Sequence, residues 1–337
     1  MTSEQRRKQR QFWIGMVFSA ACLAAIFLFI DPAEVLAALR TAQYGYLAYT
    51  GLGIVVFLLV RAVRWRFLLR NEPGYVQTLH IQNIGYMLTM VLPFRIGDVA
   101  RAILIGNVPP TTVAQGVSTM VVERLFDMLF IVTLLPFTLA QVETLPEWMR
   151  SGMLLTGGAA VFGIGVLIVA ANKRPLAQRV ATVILDRIRW LNTETWTAQL
   201  DNLLAGLDSL TRLRDGSILI GLTILTWLPI VLAYYAALFA VGISGTLPMA
   251  GFVVCAAALS VAAPSSPGQV GVFHAGVFAA LHGVLGQPET AAFNYALLYH
   301  ALNLLLMVLL GFVGIAGTGT TFGKVVTTTQ AFLQRRG

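Results

Sequence analysis

Leu92-Pro93-Phe94-Arg95-Ile96-Gly97-Asp98 and Ala263-Pro264-Ser265-Ser266-Pro267-Gly268-Gln269-Val270-Gly271 are the two stretches on which the fold turns. Both are rich in Pro and Gly, and both interrupt apolar sequence, the first over residues 77–108 and the second over 249–285. The apolar flanks are about 15 to 18 residues each, short of the roughly 20 that a helix needs to cross a hydrocarbon core. Each region is therefore read as a re-entrant hairpin, with a tight helix pair as the alternative. A blander reading, in which Pro and Gly only kink two ordinary helices, is weakened because the breaks recur at matched positions.

Outside these regions the apolar runs are longer. Residues 12–30, 44–60, 111–140, 152–171, 218–241 and 291–315 each have the length of a membrane span. The chain is 57% hydrophobic and 11% charged, against about 25% charged for soluble domains. So few charges cannot cover a water-soluble surface, and continuous runs exclude the alternation of a transmembrane barrel. The predicted fold is an all-α polytopic helix bundle, about six full spans plus two broken re-entrant pairs, forming one transmembrane domain over 1–337. The first run, preceded by Arg6, Arg7, Lys8 and Arg10, is read as a retained anchor rather than a secretory signal. Cys22 and Cys255 lie inside apolar runs as packing groups. They offer no disulfide framework and no Cys-rich metal site.

The net charge of +8 sits at segment ends, which fits the positive-inside rule better than a nucleic-acid surface. With the N-terminal cluster inside, Arg61, Arg64, Arg66 and Arg70 mark the next inside loop. Residues 173–215, with seven basic and five acidic side chains, mark another. The termini are then cytoplasmic, in a cell (inner or plasma) membrane. Span, interrupted segment and span occur in that order in 44–140 and again in 216–316. The two sets start on opposite sides, the footprint of an inverted-topology repeat with its substrate site near the bilayer midplane. Residues 172–215 between them show apolar positions at helical spacing among arginines, an amphipathic linker along the interface.

Ionisable residues inside membrane segments are costly and face a partner or a water-filled cavity. Arg95, Asp98 and Arg101 follow the first break at spacings that share a helix face. A half-helix N-terminus with arginine forks suits phosphate; the alternative is that both arginines pair with Asp98 and snorkel to the interface. Glu123, Arg124 and Asp127 lie mid-span, with Arg124 expected to pair with Asp127 and with a buried structural cluster as the rival reading. The cluster is expected to contact the first hairpin. His274, His282 and His300 follow the second break. They are read mainly as packing groups, with proton relay as the alternative and no metal-ligand spacing joining them.

The stretches Arg61-Ala-Val-Arg64-Trp65-Arg66, Leu92 to Arg101, Glu123-Arg124-Leu125-Phe126-Asp127 and Pro264-Ser-Ser-Pro267-Gly268-Gln-Val-Gly271 resemble the flippase-like family named after the transmembrane region of lysylphosphatidylglycerol synthase. The resemblance runs from about residue 10 to 318. It implies a polytopic inner-membrane protein that moves lipids or lipid-linked sugars. The family's Pro-x-Arg-x-Gly-acid-x-x-Arg pattern falls on Pro93, Arg95, Gly97, Asp98 and Arg101, with Asp98 where glutamate is usual, and its Glu-Arg-x-x-Asp pattern on Glu123, Arg124 and Asp127. His274 stands where the resemblance leads one to expect glutamate, and His300 where arginine is frequent. The aminoacyl-transferring domain of the namesake proteins is not expected, since only a short polar tail follows the last span.

These readings converge on a translocase, not an enzyme, for an anionic lipid or a polyprenyl-phosphate sugar, without cofactor or metal. Arg95 and Arg101 are expected to hold the phosphate; Glu123, Arg124 and Asp127 to steady the hairpin; Pro93, Gly97, Pro267, Gly268 and Gly271 to shape the breaks; and His274 and His300 to face the substrate. The rivals are an intramembrane enzyme acting on lipid phosphates and a non-transporting accessory of a lipid-modifying enzyme.

Overall fold

The computed structural model describes residues 42–92, 96–140, 173–185, 213–261 and 267–335, together with Arg40, Gly158 and Phe162. The apolar runs at 12–30 and 152–171, the residues Pro93, Phe94 and Arg95, the Pro264 turn and most of the linker lie outside these.

Every regular element among the described residues is helical. In the first half these are α1 (Tyr44–Leu68), α2 (Tyr75–Val91), α3 (Ile96–Gly106) and α4 (Val113–Leu139). After α5 (Arg174–Leu185) in the linker, the second half has α6 (Leu213–Ala240), α7 (Leu247–Ser260), a 3-10 turn at Pro267–Gln269, α8 (Val272–Phe278, prolonged by a π-helical turn at Ala279–Val284) and α9 (Glu289–Thr318). Helix α10 (Phe322–Arg335) follows. Of the described helices, α1, α6 and α9 are long and apolar enough to cross a membrane. Helix α4 has the length, at 27 residues, but carries Glu123, Arg124 and Asp127. By contrast, α2 with 17 residues and α3 with 11 reach only about 25 and 16 Å. Leu225, Leu228 and Leu232 on α6 and Leu305, Leu309 and Phe312 on α9 are exposed, a belt of side chains suited to lipid rather than water.

Two differences from the sequence reading have clear causes. Helix α1 continues past residue 60 to Leu68 and takes Arg61 and Arg64 into the buried interior. An apolar-run criterion stops at the first arginine, but the helix need not leave the core when its charges find partners there. Likewise the C-terminal tail, read as polar, forms α10. Its Val325 is buried in a cluster with Ile84, Met87, Leu88 and Ala100, covering the back of the α2–α3 hairpin.

The helices pack in antiparallel pairs. Along α1 and α6, Gln43 N–H donates to the Ala240 carbonyl (2.8 Å), Thr50 Oγ1 to the Ala233 carbonyl (3.3 Å) and Arg64 Nη1 to Thr223 Oγ1 (3.4 Å). Helix α2 runs along α9, with Met87 against Gly311 and His80 against Gly314 and Gly317. In the same sense α7 runs along α4, with Gly251 against Thr138 and Cys255 Sγ 3.7 Å from the Ile131 carbonyl. Within the halves, α3 packs on α2 and α4, and α8 packs on α7 and α9.

Backbone contact holds the first hairpin closed. A Cβ built at Gly97 runs into the Gly85 carbonyl oxygen and Thr89 Oγ1, and one at Gly85 runs into the Arg101 side chain. Gly97→Ala is therefore expected to pry α3 off α2 and to destabilise by about 1–3 kcal/mol. A detergent-unfolding curve superimposable on wild type would rule out this tight seam.

Candidate functional site

The charges set in apolar helices converge on one buried cluster where α1, α3 and α4 meet. Asp127, near the middle of α4, accepts from Arg61 Nη2 and Arg64 Nη2, each at 2.8 Å, and from Trp227 Nε1 on α6 at 3.1 Å. Glu123, one turn earlier, is held by Arg101 Nη2 at 2.8 Å, with Arg61 Nε at 3.6 Å and Arg64 Nη2 at 3.5 Å. Asp127 and Glu123 are i, i+4 and so share a face. Arg61 and Arg64 are i, i+3 on α1, which lets both point at that face. Arg64, Arg101 and Glu123 are at most 1% exposed.

The partners are not those expected from sequence spacing. Arg124 pairs with Asp98 at 3.2 Å, not with Asp127, because α3 packs on α4 and brings Asp98 within its reach. Arg101 reaches Glu123 rather than Asp98, and its guanidinium lies 4.0 Å over the ring of Trp65. Both arrangements keep the expected contact between the hairpin and the Glu123–Asp127 cluster. Arg61 and Arg64 were missed as site residues because they were assigned to a cytoplasmic loop. Their i, i+3 spacing beside Trp65 was the available signal. Trp227 gave none, since its role depends on α6 meeting α4.

Beside the cluster is a cavity of about 210 Å³ lined by residues of both halves. Arg61, Arg124 and Asp127 form its charged end, while Trp227, Tyr299 and Phe273 are prominent in the wall from the second half. Met128 on α4 lines the cavity and is itself 39% exposed. Arg101 belongs to the cluster but does not line this space.

The second break lies across the cavity. Gly268 and Gly271 have φ of +70° and +87°, a left-handed backbone that glycine adopts without strain. Gly268 packs near the Met90 carbonyl at the end of α2, which brings the second break close to the first. The Gly271 N–H donates to Nδ1 of His274 at 3.3 Å, fixing that ring at the start of α8. His300 on α9 lies beside it, with ring centroids 4.9 Å apart and the ring planes tilted by 52°. His300 lines the cavity and its Nε2 has no partner. His282 stands apart, bonded through Nδ1 to the Gln287 carbonyl at 2.8 Å. Of the expected site residues, Asp98, Arg101, Glu123, Arg124, Asp127, Gly97, Gly268, Gly271, His274 and His300 thus gather around the two breaks. Pro267 opens the 3-10 turn, and Pro93 and Arg95 lie outside the described residues.

A family model described as the lysylphosphatidylglycerol synthase TM region matches residues 12–311 of the 337. The chain belongs to this family. In this member of the lysylphosphatidylglycerol synthase TM family the match spans both breaks, the charged cluster and the cavity-lining helices. The chain is also 25% identical over 324 residues to the glycosyltransferase AglD of Haloferax volcanii, covering 86% of this chain and 51% of that protein. It spans about half the length of that relative. No solved structure matches the chain.

Proposed function

We propose that this protein is a lipid translocase whose cavity receives the phosphate-bearing headgroup of an anionic lipid or lipid-linked sugar. The observation that carries the reading is the cluster's excess of positive charge at the end of a cavity between the two halves. Among the described residues four arginines, Arg61, Arg64, Arg101 and Arg124, face three carboxylates, Asp98, Glu123 and Asp127. A buried surplus cation in a membrane protein calls for an anion. Arg61 and Arg124 line the cavity, so the phosphate is assigned to them. Arg101, already held by Glu123 and Trp65, becomes the tie between hairpin and α4. Met128, which both lines the cavity and is partly exposed, marks the side of α4 from which a headgroup would enter while its chains stay in the bilayer.

Movement across the membrane follows from the inverted repeat, which the packing supports. Exchanging α1–α4 with α6–α9 reproduces the same set of neighbours, including α2 on α9 and α7 on α4. The first helices of the two halves are antiparallel, as a two-fold axis lying in the membrane plane requires. Rocking one half against the other would expose the cavity to each side in turn. The proposed setting is the cell membrane with both termini cytoplasmic, by the positive-inside distribution.

The name of the Haloferax relative raises a second reading, group transfer to a lipid phosphate. Against it, Glu123 and Asp127 are each engaged by two or more arginines, which leaves neither free as a base or a Mg²⁺ ligand. The test is reconstitution into vesicles with labelled anionic lipids, comparing wild type with Ala258→Trp, which places an indole in the cavity. Protein-dependent change of leaflet, lost in the folded variant, is the expected result. A chemically altered lipid without any change of leaflet would replace transport by catalysis.

A further inference from the structure

We infer that the cavity selects phosphate lipids whose headgroups carry hydroxyls and no ammonium group, and rejects aminoacylated ones. The inference rests on the translocase reading of the same cavity and names its substrate class.

It follows from a charge census. Among the described residues, Asp127 is the one carboxylate lining the cavity. Both of its oxygens are occupied, Oδ1 by Arg64 and Trp227 and Oδ2 by Arg61. The remaining described polar lining, which includes Thr89, Gln269, His300, Asn303 and three tyrosines beside Arg61 and Arg124, is neutral or cationic. A hydroxyl-bearing headgroup, whether glycosyl or glycerol, finds hydrogen-bonding partners there, among them the His300 ring, which is 5% exposed with Nε2 unpartnered. The single negative charge of a phosphodiester balances the one surplus arginine. An aminoacyl headgroup brings ammonium groups to a pocket with no free carboxylate among the described residues, and beside the buried Arg61 guanidinium that repulsion is strong. Specificity here comes from the missing counter-charge as much as from the bonds made.

The experiment uses the full chain in phosphatidylcholine vesicles containing traces of three acyl-labelled lipids: phosphatidylglycerol, lysyl-phosphatidylglycerol and a polyprenyl phosphohexose. The expected result is that at least one hydroxyl-bearing lipid moves about tenfold or more faster than the lysyl lipid. Asn303→Asp, which adds a carboxylate to the lining, is expected to shrink that ratio. Movement of lysyl-phosphatidylglycerol as fast as the others overturns the selectivity and leaves translocation standing. A ratio unchanged in folded Asn303→Asp overturns the electrostatic basis; should that variant not fold, the wild-type ratio decides. Movement of none of the three by folded protein overturns this inference together with the translocase reading.

Discussion

Asp127→Asn is expected to destabilise the folded protein by about 3–5 kcal/mol, the usual cost of breaking a buried ion pair from one side. The asparagine keeps the shape of the side chain but removes the charge that Arg61 and Arg64 share. Both guanidiniums are 4% exposed or less at their side chains, so water cannot replace the lost carboxylate. Glu123 already lies 3.6 Å from Arg61 and 3.5 Å from Arg64 and holds Arg101 at 2.8 Å, so without Asp127 a single carboxylate is left to face three buried arginines. Unfolding in detergent followed by tryptophan fluorescence suits this variant, because Trp227 donates to the same carboxylate at 3.1 Å. In the Asp127→Asn background, Arg61→Met is expected to recover part of the loss, with a coupling of about 1–3 kcal/mol. A midpoint within experimental error of wild type would mean that the cluster does not hold α1 to α4.

Arg124→Gln has the opposite signature, a large functional loss with little change in stability. The Arg124 and Asp98 side chains are 36% and 24% exposed, and a pair so open to solvent contributes on the order of 1 kcal/mol or less. Yet Arg124 lines the cavity next to Arg61, where its fork is the more accessible of the two. Translocation of an anionic lipid is expected to fall about tenfold or more, since charge-assisted bonds to phosphate are the strong ones. Arg124→Lys should be intermediate, keeping charge without the bidentate geometry. Full transport by Arg124→Gln would move the phosphate to Arg61 alone or out of this cavity.

These two residues also show how far the sequence could be read. The unusual placement of Glu123, Arg124 and Asp127 was visible because a charge in an apolar run stands out at once. Their division of labour was not. Helical spacing brings Arg124 within reach of Asp127, but it also permits contacts to a neighbouring helix, and only the packing of α3 on α4 makes Asp98 the partner. For Arg61 and Arg64 the same rule misled, since arginines after an apolar run ordinarily mark a loop.

Four of the six apolar runs reappear as α1, α4, α6 and α9, with ends shifted by up to five residues except at α1, which runs eight residues further. At the first break α2 stops at Val91 and α3 begins at Ile96, as Pro and Gly dictate locally. These features belong to the sequence itself, because span length, chain breaks and the cost of charge in lipid depend on residues close together in the chain. The pairing of α2 with α9 and of α7 with α4, the sharing of Asp127 by two arginines of α1 and a tryptophan of α6, and the cavity between the halves belong to the tertiary structure alone. Each joins side chains far apart in sequence, where no local period or spacing carries the information.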